Sequence, residues 1–242
     1  MTDIHSHIFF GVDDGSVSIE ESLELLKAME EVGFRNVIMT PHYIENTNYC
    51  SLNKEKLSKL EILREEVKKH NININLYLGN EIFINDHIVE GIKENNIYTL
   101  NGSRYLLFEL PFHNKILNLM DIVYEIKVAG FIPILAHPER YDQFQNDYHY
   151  VDELKEEGLL FQCNFSSIIG AYGKYAEKLM KYMLKKEYVD YLGTDLHHLK
   201  KGTVLEEFPK INKKIKKIAG EEYYSEILNN NYKLLKEESI YR

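Results

Sequence analysis

Apolar residues along this chain alternate between two rhythms. Ile19, Leu23, Leu26 and Met29 recur at spacings of three and four, which predicts an amphipathic helix. Ser18 and Glu21 form a capping box at its start and Gly33 closes it. A short continuous apolar run over 36–40 follows and reads as a buried strand. The alternation then repeats. Helical spacing predicts helices over 53–69, 86–95, 117–129, 151–157 and 174–186, and apolar runs predict strands over 74–78, 105–108, 131–136, 159–163 and 189–193. The last stretch, 205–235, reads as helical. With a strand at residues 3–7, seven strands alternate with helices, the pattern of a parallel sheet. No glycine-rich nucleotide turn follows the first strand, so a distorted (β/α)7 barrel is expected rather than an open sheet. The 242 residues are expected to form a single domain, with residues 205–242 as a helical extension of it.

The strand ends carry the chemistry. His5 and His7 are two residues apart on the first strand and so share a face. Gly11 and Gly15 allow a tight excursion that returns Asp14 to the same place. His42, Glu81, Glu109 and His137 each end a later strand, and Asp195 and His197 follow the last one. In a barrel these carboxyl ends share one rim, where such folds place their active sites. Nine nitrogen and oxygen donors exceed what one catalytic zinc takes and suit two or three clustered cations. Imidazole and carboxylate without thiolate are compatible with manganese, iron or zinc, and with magnesium in part.

Composition narrows the partners. A net charge of -9 argues against nucleic acid, and an acidic protein that handles an anion needs positive charge concentrated locally, as bound metals would supply. Cys50 and Cys163 support neither a disulfide framework nor a zinc ribbon, which suits a reducing cytoplasm. No leader segment and no membrane-spanning run is read, so a cytoplasmic protein without direct membrane insertion is expected. Phosphate monoesters are among the slowest substrates to hydrolyse unaided, and adjacent metals can ionise a water and hold the ester oxygens in line. A bridging hydroxide is the expected nucleophile. Arg140, three residues after His137, is the expected phosphoryl clamp, since guanidinium grips phosphoryl oxygens bidentately. Neither cysteine has an arginine six residues on, and no P-loop or Gly-x-Ser-x-Gly elbow is present, so thiolate, nucleotide and serine mechanisms drop out. Tyr43, Tyr141 and Tyr172 follow strands and are candidates to line the cleft. His70, His87, His113 and His149 read as surface residues, and His198 is open. The basic run at 210–217 reads as a solvated helix face or a partner surface.

Asp3-Ile4-His5-Ser6-His7, Asp13-Asp14-Gly15, Thr40-Pro41-His42-Tyr43, Gly79-Asn80-Glu81, His137-Pro138-Glu139-Arg140-Tyr141 and Asp195-Leu196-His197 together resemble the polymerase-and-histidinol-phosphatase (PHP) superfamily. Within it they are similar to the bacterial protein tyrosine phosphatases of capsule and exopolysaccharide operons. The resemblance implies three divalent metal ions, typically manganese, and as partner the phosphotyrosine tail of a membrane-linked tyrosine kinase. It implies one metal on His5, His7 and Asp195, another on Glu109 and His137 with Glu81 bridging, and a third on Asp14, His42 and His197. Arg140 matches the phosphate-binding arginine, and Arg140, His42 and His197 are taken as catalytic. Relatives often carry a second arginine after the final Asp-x-His, where this chain has only Lys200 and Lys201 as substitutes. Two other readings stay open: a phosphoesterase for a small histidinol-phosphate-like metabolite, and a metal-bound, non-catalytic regulator that docks a kinase through the basic run at 210–217.

Overall fold

The computed structural model describes residues 1–199 and 204–241. In chain order it contains β1 (Thr2–Asp3), α1 (Ile19–Glu31), β2 (Asn36–Met39), β3 (His42–Tyr43), α2 (Asn53–Lys69), β4 (Asn75–Leu78), β5 (Glu81–Phe83), α3 (Ile88–Lys93) and β6 (Tyr105–Glu109). It continues with α4 (Leu119–Val128), β7 (Ile132–Ala136), α5 (Asp142–Asn146), α6 (Tyr148–Glu156), β8 (Leu160–Asn164), α7 (Lys174–Lys185), β9 (Tyr191–Gly193), α8 (Phe208–Ala219) and α9 (Glu221–Lys233). Every strand pairing is parallel, in the orders β1-β2-β4 and β3-β5-β6-β7-β8-β9.

Two of the seven expected strands are each broken in two. Pro41 separates β2 from β3 because it has no N–H to give to a ladder. Gly79 and Asn80 separate β4 from β5, and Gly79 lies so close to Leu100 that a Cβ there would sit 2.9 Å from Leu100 Cδ2. Each break shifts the strand from one sheet to the other while it continues in the same direction, so among the described residues nine short strands make seven staves.

The ring closes between the first stave and the last. Near the mouth the closure is made by backbone: Asp195 N–H donates to His5 O at 2.9 Å and His7 N–H to Leu196 O at 2.9 Å. At the base, side chains take over. The Asp3 carboxylate accepts Thr194 N–H at 2.9 Å and Thr194 Oγ at 2.5 Å. Asn231 of α9 donates to Thr2 O at 3.0 Å and Leu192 O at 2.6 Å, and accepts Leu192 N–H at 3.2 Å. Burial pushes the Asp3 carboxyl up to about 6 against the pull of these hydrogen bonds.

The core has two parts, as strand alternation demands. Ile38, Leu107, Ile134 and Ala136 belong to a small inner cluster with Ile4 and Tyr191. Their strand neighbours Val37, Met39, Leu106, Phe108 and Leu135 belong to the larger layer that includes the helices. Phe34, Phe165 and Phe208 pack with ring centroids 5.1 to 6.2 Å apart and fix α8 to that layer. Burying a side chain of this size contributes roughly 1.5–3 kcal/mol, so Phe208 is a substantial anchor for α8.

Ser18 Oγ caps α1 by accepting Glu21 N–H at 3.2 Å. The returning Glu21 carboxylate takes Val17 N–H, at 2.9 Å, rather than that of the cap residue. The helix expected over 151–157 begins earlier, at Tyr148, because Asp147 accepts His149 N–H at 3.1 Å and sets the start there. The helical stretch over 205–235 is two helices, divided at Gly220, whose φ of 86° is open to glycine and costly for other residues. Among the described residues no helix is long and apolar enough to cross a membrane.

Candidate metal centre

The staves deliver the nine expected residues to the carboxyl rim of the barrel. Among the described residues three groups lie close enough to hold an ion: His5, His7 and Glu81; His42, Glu81 and Glu109; and His7, Asp14, His42 and His197. His137 joins through Glu81, with Nε2 2.8 Å from Oε1. Asp195 joins through Oδ1, which lies 3.6 Å from His5 Nε2, 3.5 Å from His7 Nε2 and 3.7 Å from His197 Nδ1. All nine are therefore connected. The grouping differs in detail from the one implied by resemblance: His7 serves both ends of the cluster, and His42 reaches Glu81 and Glu109, each at 3.0 Å from its Nδ1. His5, His7 and Glu81 are buried, whereas the Asp14 side chain is 50% exposed, so the cluster runs from the interior to an open end.

Backbone strain marks two of these positions. His137 has φ 34° and Asp195 φ 52°, left-handed values that residues with a Cβ adopt at a cost of order 1–3 kcal/mol. At each, the turn is what aims the side chain from a strand end toward the axis.

Supporting residues fix the imidazoles. His5 Nδ1 donates to Gln162 Oε1 at 2.7 Å and His7 Nδ1 to Asp13 Oδ2 at 2.7 Å, which leaves both Nε2 atoms facing the cluster as acceptors. Asp13 also accepts His42 N–H and Gly15 N–H, each at 3.0 Å, tying the first loop to the second stave. Neither Asp13 nor Gln162 is among the donors expected from sequence, although Asp13 adjoins Asp14 and Gln162 forms with Asn164 an i, i+2 polar pair in an otherwise apolar strand.

Arg140 completes the rim. Its Nη1 donates to Asp195 Oδ2 at 2.6 Å, and its guanidinium lies between two rings, 4.6 Å from the Phe112 centroid and 4.3 Å from that of Tyr172. Asn164 Nδ2 donates to the same Asp195 oxygen at 2.7 Å. Tyr172 is thus at the rim, as expected for a cleft residue. Tyr43 and Tyr141 are not. Tyr43 neighbours His42 in a strand and so points the opposite way, into the outer core, with 6% of its surface exposed. Tyr141 is fully buried against Phe112, His137 and Phe144, its hydroxyl accepting Leu110 N–H at 3.0 Å. Both support the site from beneath rather than lining it. His198 holds the open end together, reaching Glu21 at 2.8 Å and Asp14 O at 3.0 Å. Lys200 and Lys201, the expected substitutes for a second arginine, lie outside the described residues.

The electrostatics fit a cation-binding role. Burial works against a charged imidazole, yet Glu81 and Asp195 raise His5, Asp13 pushes His7 up to about 10, and Glu81 with Glu109 push His42 up to about 12. Burial would raise the carboxyls too, but His5 and His42 hold Glu81 well below its usual range, and His5 and Arg140 do the same for Asp195. A hydrogen bond from His197, against partial burial, brings Asp14 down to about 2. Glu81, Asp195 and Asp14 are thus held ionised, and the protons that this charge draws onto His5, His7 and His42 are ones a bound cation would displace. His137 Nδ1 is buried without a hydrogen bond, a state that costs about 1–3 kcal/mol unless something else takes the lone pair. The donor set therefore suits divalent metals.

A parallel barrel with such a constellation at its mouth defines a β/α-barrel protein of the metal-dependent hydrolase type. The family described as capsular polysaccharide synthesis, CpsB/CapC, matches residues 1–236, and the chain belongs to it. CapC of Staphylococcus aureus is 36% identical over 199 residues, 82% of this chain and 78% of that protein. The tyrosine-protein phosphatase CpsB of Streptococcus pneumoniae is 32% identical over 205 residues, 82% of this chain and 84% of that protein. Among solved structures, a chain from the crystal structures of YwqE from Bacillus subtilis and CpsB from Streptococcus pneumoniae, described as metal-dependent tyrosine phosphatases, has a TM-score of 0.86 at 24% identity. It covers 100% of this chain and 97% of that one, and shows the shared fold.

Proposed function

We propose that this chain is a metal-dependent protein tyrosine phosphatase that acts in the cytoplasm on the phosphotyrosine tail of a partner tyrosine kinase in capsule or exopolysaccharide synthesis. The observation that carries the reading is the direct contact of Arg140 with Asp195, which sets a phosphoryl-gripping guanidinium against the candidate metal ligands. The kinship with CpsB supports the substrate class. We take the whole chain as one domain, with α8 and α9 as its extension.

His5, His7, Asp14, His42, Glu81, Glu109, His137, Asp195 and His197 would hold the metals, three by preference and manganese by preference among them. Bound divalent cations supply charge for the phosphoryl oxygens and acidify a water. The residues of the chain do the rest. The rings of Phe112 and Tyr172 hold the Arg140 guanidinium in place for bidentate contact with two phosphoryl oxygens, and Asp195 holds it until a phosphoryl group competes for its N–H groups. Gln162 and Asp13 keep His5 and His7 in the ligating tautomer. His42 and His197 bracket Asp14 at the open end, where a substrate enters. The leaving phenol has a pKa near 10, so it departs with less acid assistance than an alkyl alcohol needs.

The test is hydrolysis of a phosphotyrosine peptide, lost on chelation and restored by manganese, and abolished in His137→Ala. Activity that survives both treatments overturns the reading. Faster turnover of a histidinol-phosphate-like metabolite than of the peptide overturns the substrate assignment alone.

A further inference from the structure

Positive charge in this acidic chain collects on one side of the barrel. Lys174, Lys178, Lys181 and Lys185 follow one another along α7 at steps of four, three and four, which places them in one stripe. α8 carries Lys210, Lys213, Lys214, Lys216 and Lys217. The two helices together hold nine lysines and one glutamate, although the whole chain has a net charge of -9. Their lysines meet: Lys181 and Lys214 both reach Glu177 Oε1 at 2.7 Å. Among the described residues Lys174, Lys178, Lys185, Lys213 and Lys217 are exposed and form no ion pair with a carboxylate.

The stripe begins at the mouth. Tyr172, two residues before Lys174, stacks on Arg140 and donates its hydroxyl to Asp195 at 3.4 Å. At 1.5 Å per residue, Lys174 to Lys185 covers about 16 Å, the length of about five residues of extended peptide at roughly 3.3 Å each.

We infer that the adjoining lysine stripes of α7 and α8 dock the acidic polypeptide that flanks the phosphotyrosine held at the mouth. The inference rests on the phosphatase reading and deepens it. Continuity with the rim favours a chain that has one residue inserted beside Arg140 and its neighbours laid along α7. Lysine heads are compact point charges without arginine's planar fork, so the surface selects net negative charge rather than a particular sequence. A bilayer is the poorer match, because Tyr175 is the one exposed large apolar side chain on these two helices and an interfacial helix needs an apolar face to bury.

Two phosphotyrosine peptides decide it, one with five flanking Asp and Glu residues and one with five flanking Ser and Gly. The metal-loaded enzyme should give the acidic peptide a KM about tenfold lower at low ionic strength, with the advantage gone near 0.5 M salt, where screening acts within about 4 Å. The variant carrying Lys178→Glu, Lys185→Glu, Lys213→Glu and Lys217→Glu should lose that advantage while hydrolysing free phosphotyrosine with unchanged kcat and KM. Equal KM values for the two peptides, or an advantage that persists in the variant, overturns the inference. So does a variant that loses only its binding to phosphatidylglycerol vesicles. Anisotropy of a labelled, unphosphorylated acidic peptide reads the surface without catalysis: about tenfold weaker binding by the variant supports docking even if the phosphatase reading fails, and equal binding removes it.

Discussion

Lys56 Nζ donates to Asn80 Oδ1 at 2.6 Å from a position that is 1% exposed. Asn80 Oδ1 also accepts Tyr98 N–H at 2.9 Å, and its Nδ2 donates to Pro41 O at 2.9 Å. Asn80 precedes Glu81 and Pro41 precedes His42, so a buried amine is tied into both strand breaks that deliver site residues. Among the described residues no carboxylate pairs with it. Burial pushes the amine down to about 7, with Cys50 opposing and the Tyr43 ring 6.0 Å away. Between that value and 10.5 the unfolded chain keeps a proton that the folded chain sheds, so this lysine makes stability rise with pH across the window, by at most about 1.4 kcal/mol per unit. Urea unfolding of wild type and Lys56→Met from pH 7 to 10 should show that slope missing from the variant. Parallel curves would refute it.

Asp13→Asn tests the support under His7. The amide keeps the shape but no longer stabilises the Nδ1–H tautomer as a carboxylate does, and outer partners of metal-bound histidines typically matter 10–100-fold in affinity. Titration calorimetry with manganese should show a loss of that size, with the far-ultraviolet spectrum unchanged. An affinity equal to wild type would mean that Asp13 is only a loop fastener.

Arg140→Lys separates substrate binding from metal binding. Lysine keeps the charge but loses both the fork and the stacking between Phe112 and Tyr172. A charged hydrogen bond contributes about 1.5–3 kcal/mol, so kcat/KM on a phosphotyrosine peptide should fall roughly 10–100-fold. Metal content by elemental analysis should stay the same. A parallel loss of metal would place Arg140 in the structural frame instead.

Gly193→Ala probes the space behind His5. A Cβ there would lie 2.6 Å from His5 Cβ and 2.8 Å from Gln162 Nε2, so either the ligand or its support must move. Overpacking of this kind costs about 1–3 kcal/mol. Thermal unfolding should shift downward and metal stoichiometry should drop. A variant with wild-type values of both would show that the last strand yields readily.

Much of the site was legible in the sequence because parallel barrels gather strand ends, and apolar runs ending in His, Asp or Glu are easy to see. The nine donors were found one strand at a time, without knowing any distance between them. What escaped is what depends on pairing across the ring. Gln162 holds His5 from 157 positions away, and Asp13 adjoins Asp14, which the Gly11–Gly15 excursion makes the more obvious ligand. Tyr43 was misplaced although strand alternation already puts it opposite His42. Tyr141 could not be placed from the letters, since the left-handed turn at His137 decides where the following residues point. The strand breaks likewise depend on contacts such as Gly79 against Leu100, which no local pattern announces.

The seam between the first and last staves has a consequence for α9. Thr2 and Leu192 are joined through Asn231, and Asp3 bonds to Thr194, so one edge of the first stave pairs with the nearby β2 while its other edge is held by residues such as Thr194, 191 positions further along. A chain lacking α9 would lose the Asn231 clasp and leave the seam to Asp3, Thr194 and the backbone bonds of His5 and His7. Trimming α9 should therefore weaken a centre to which it contributes no ligand, by loosening the seam beneath His5 and His7.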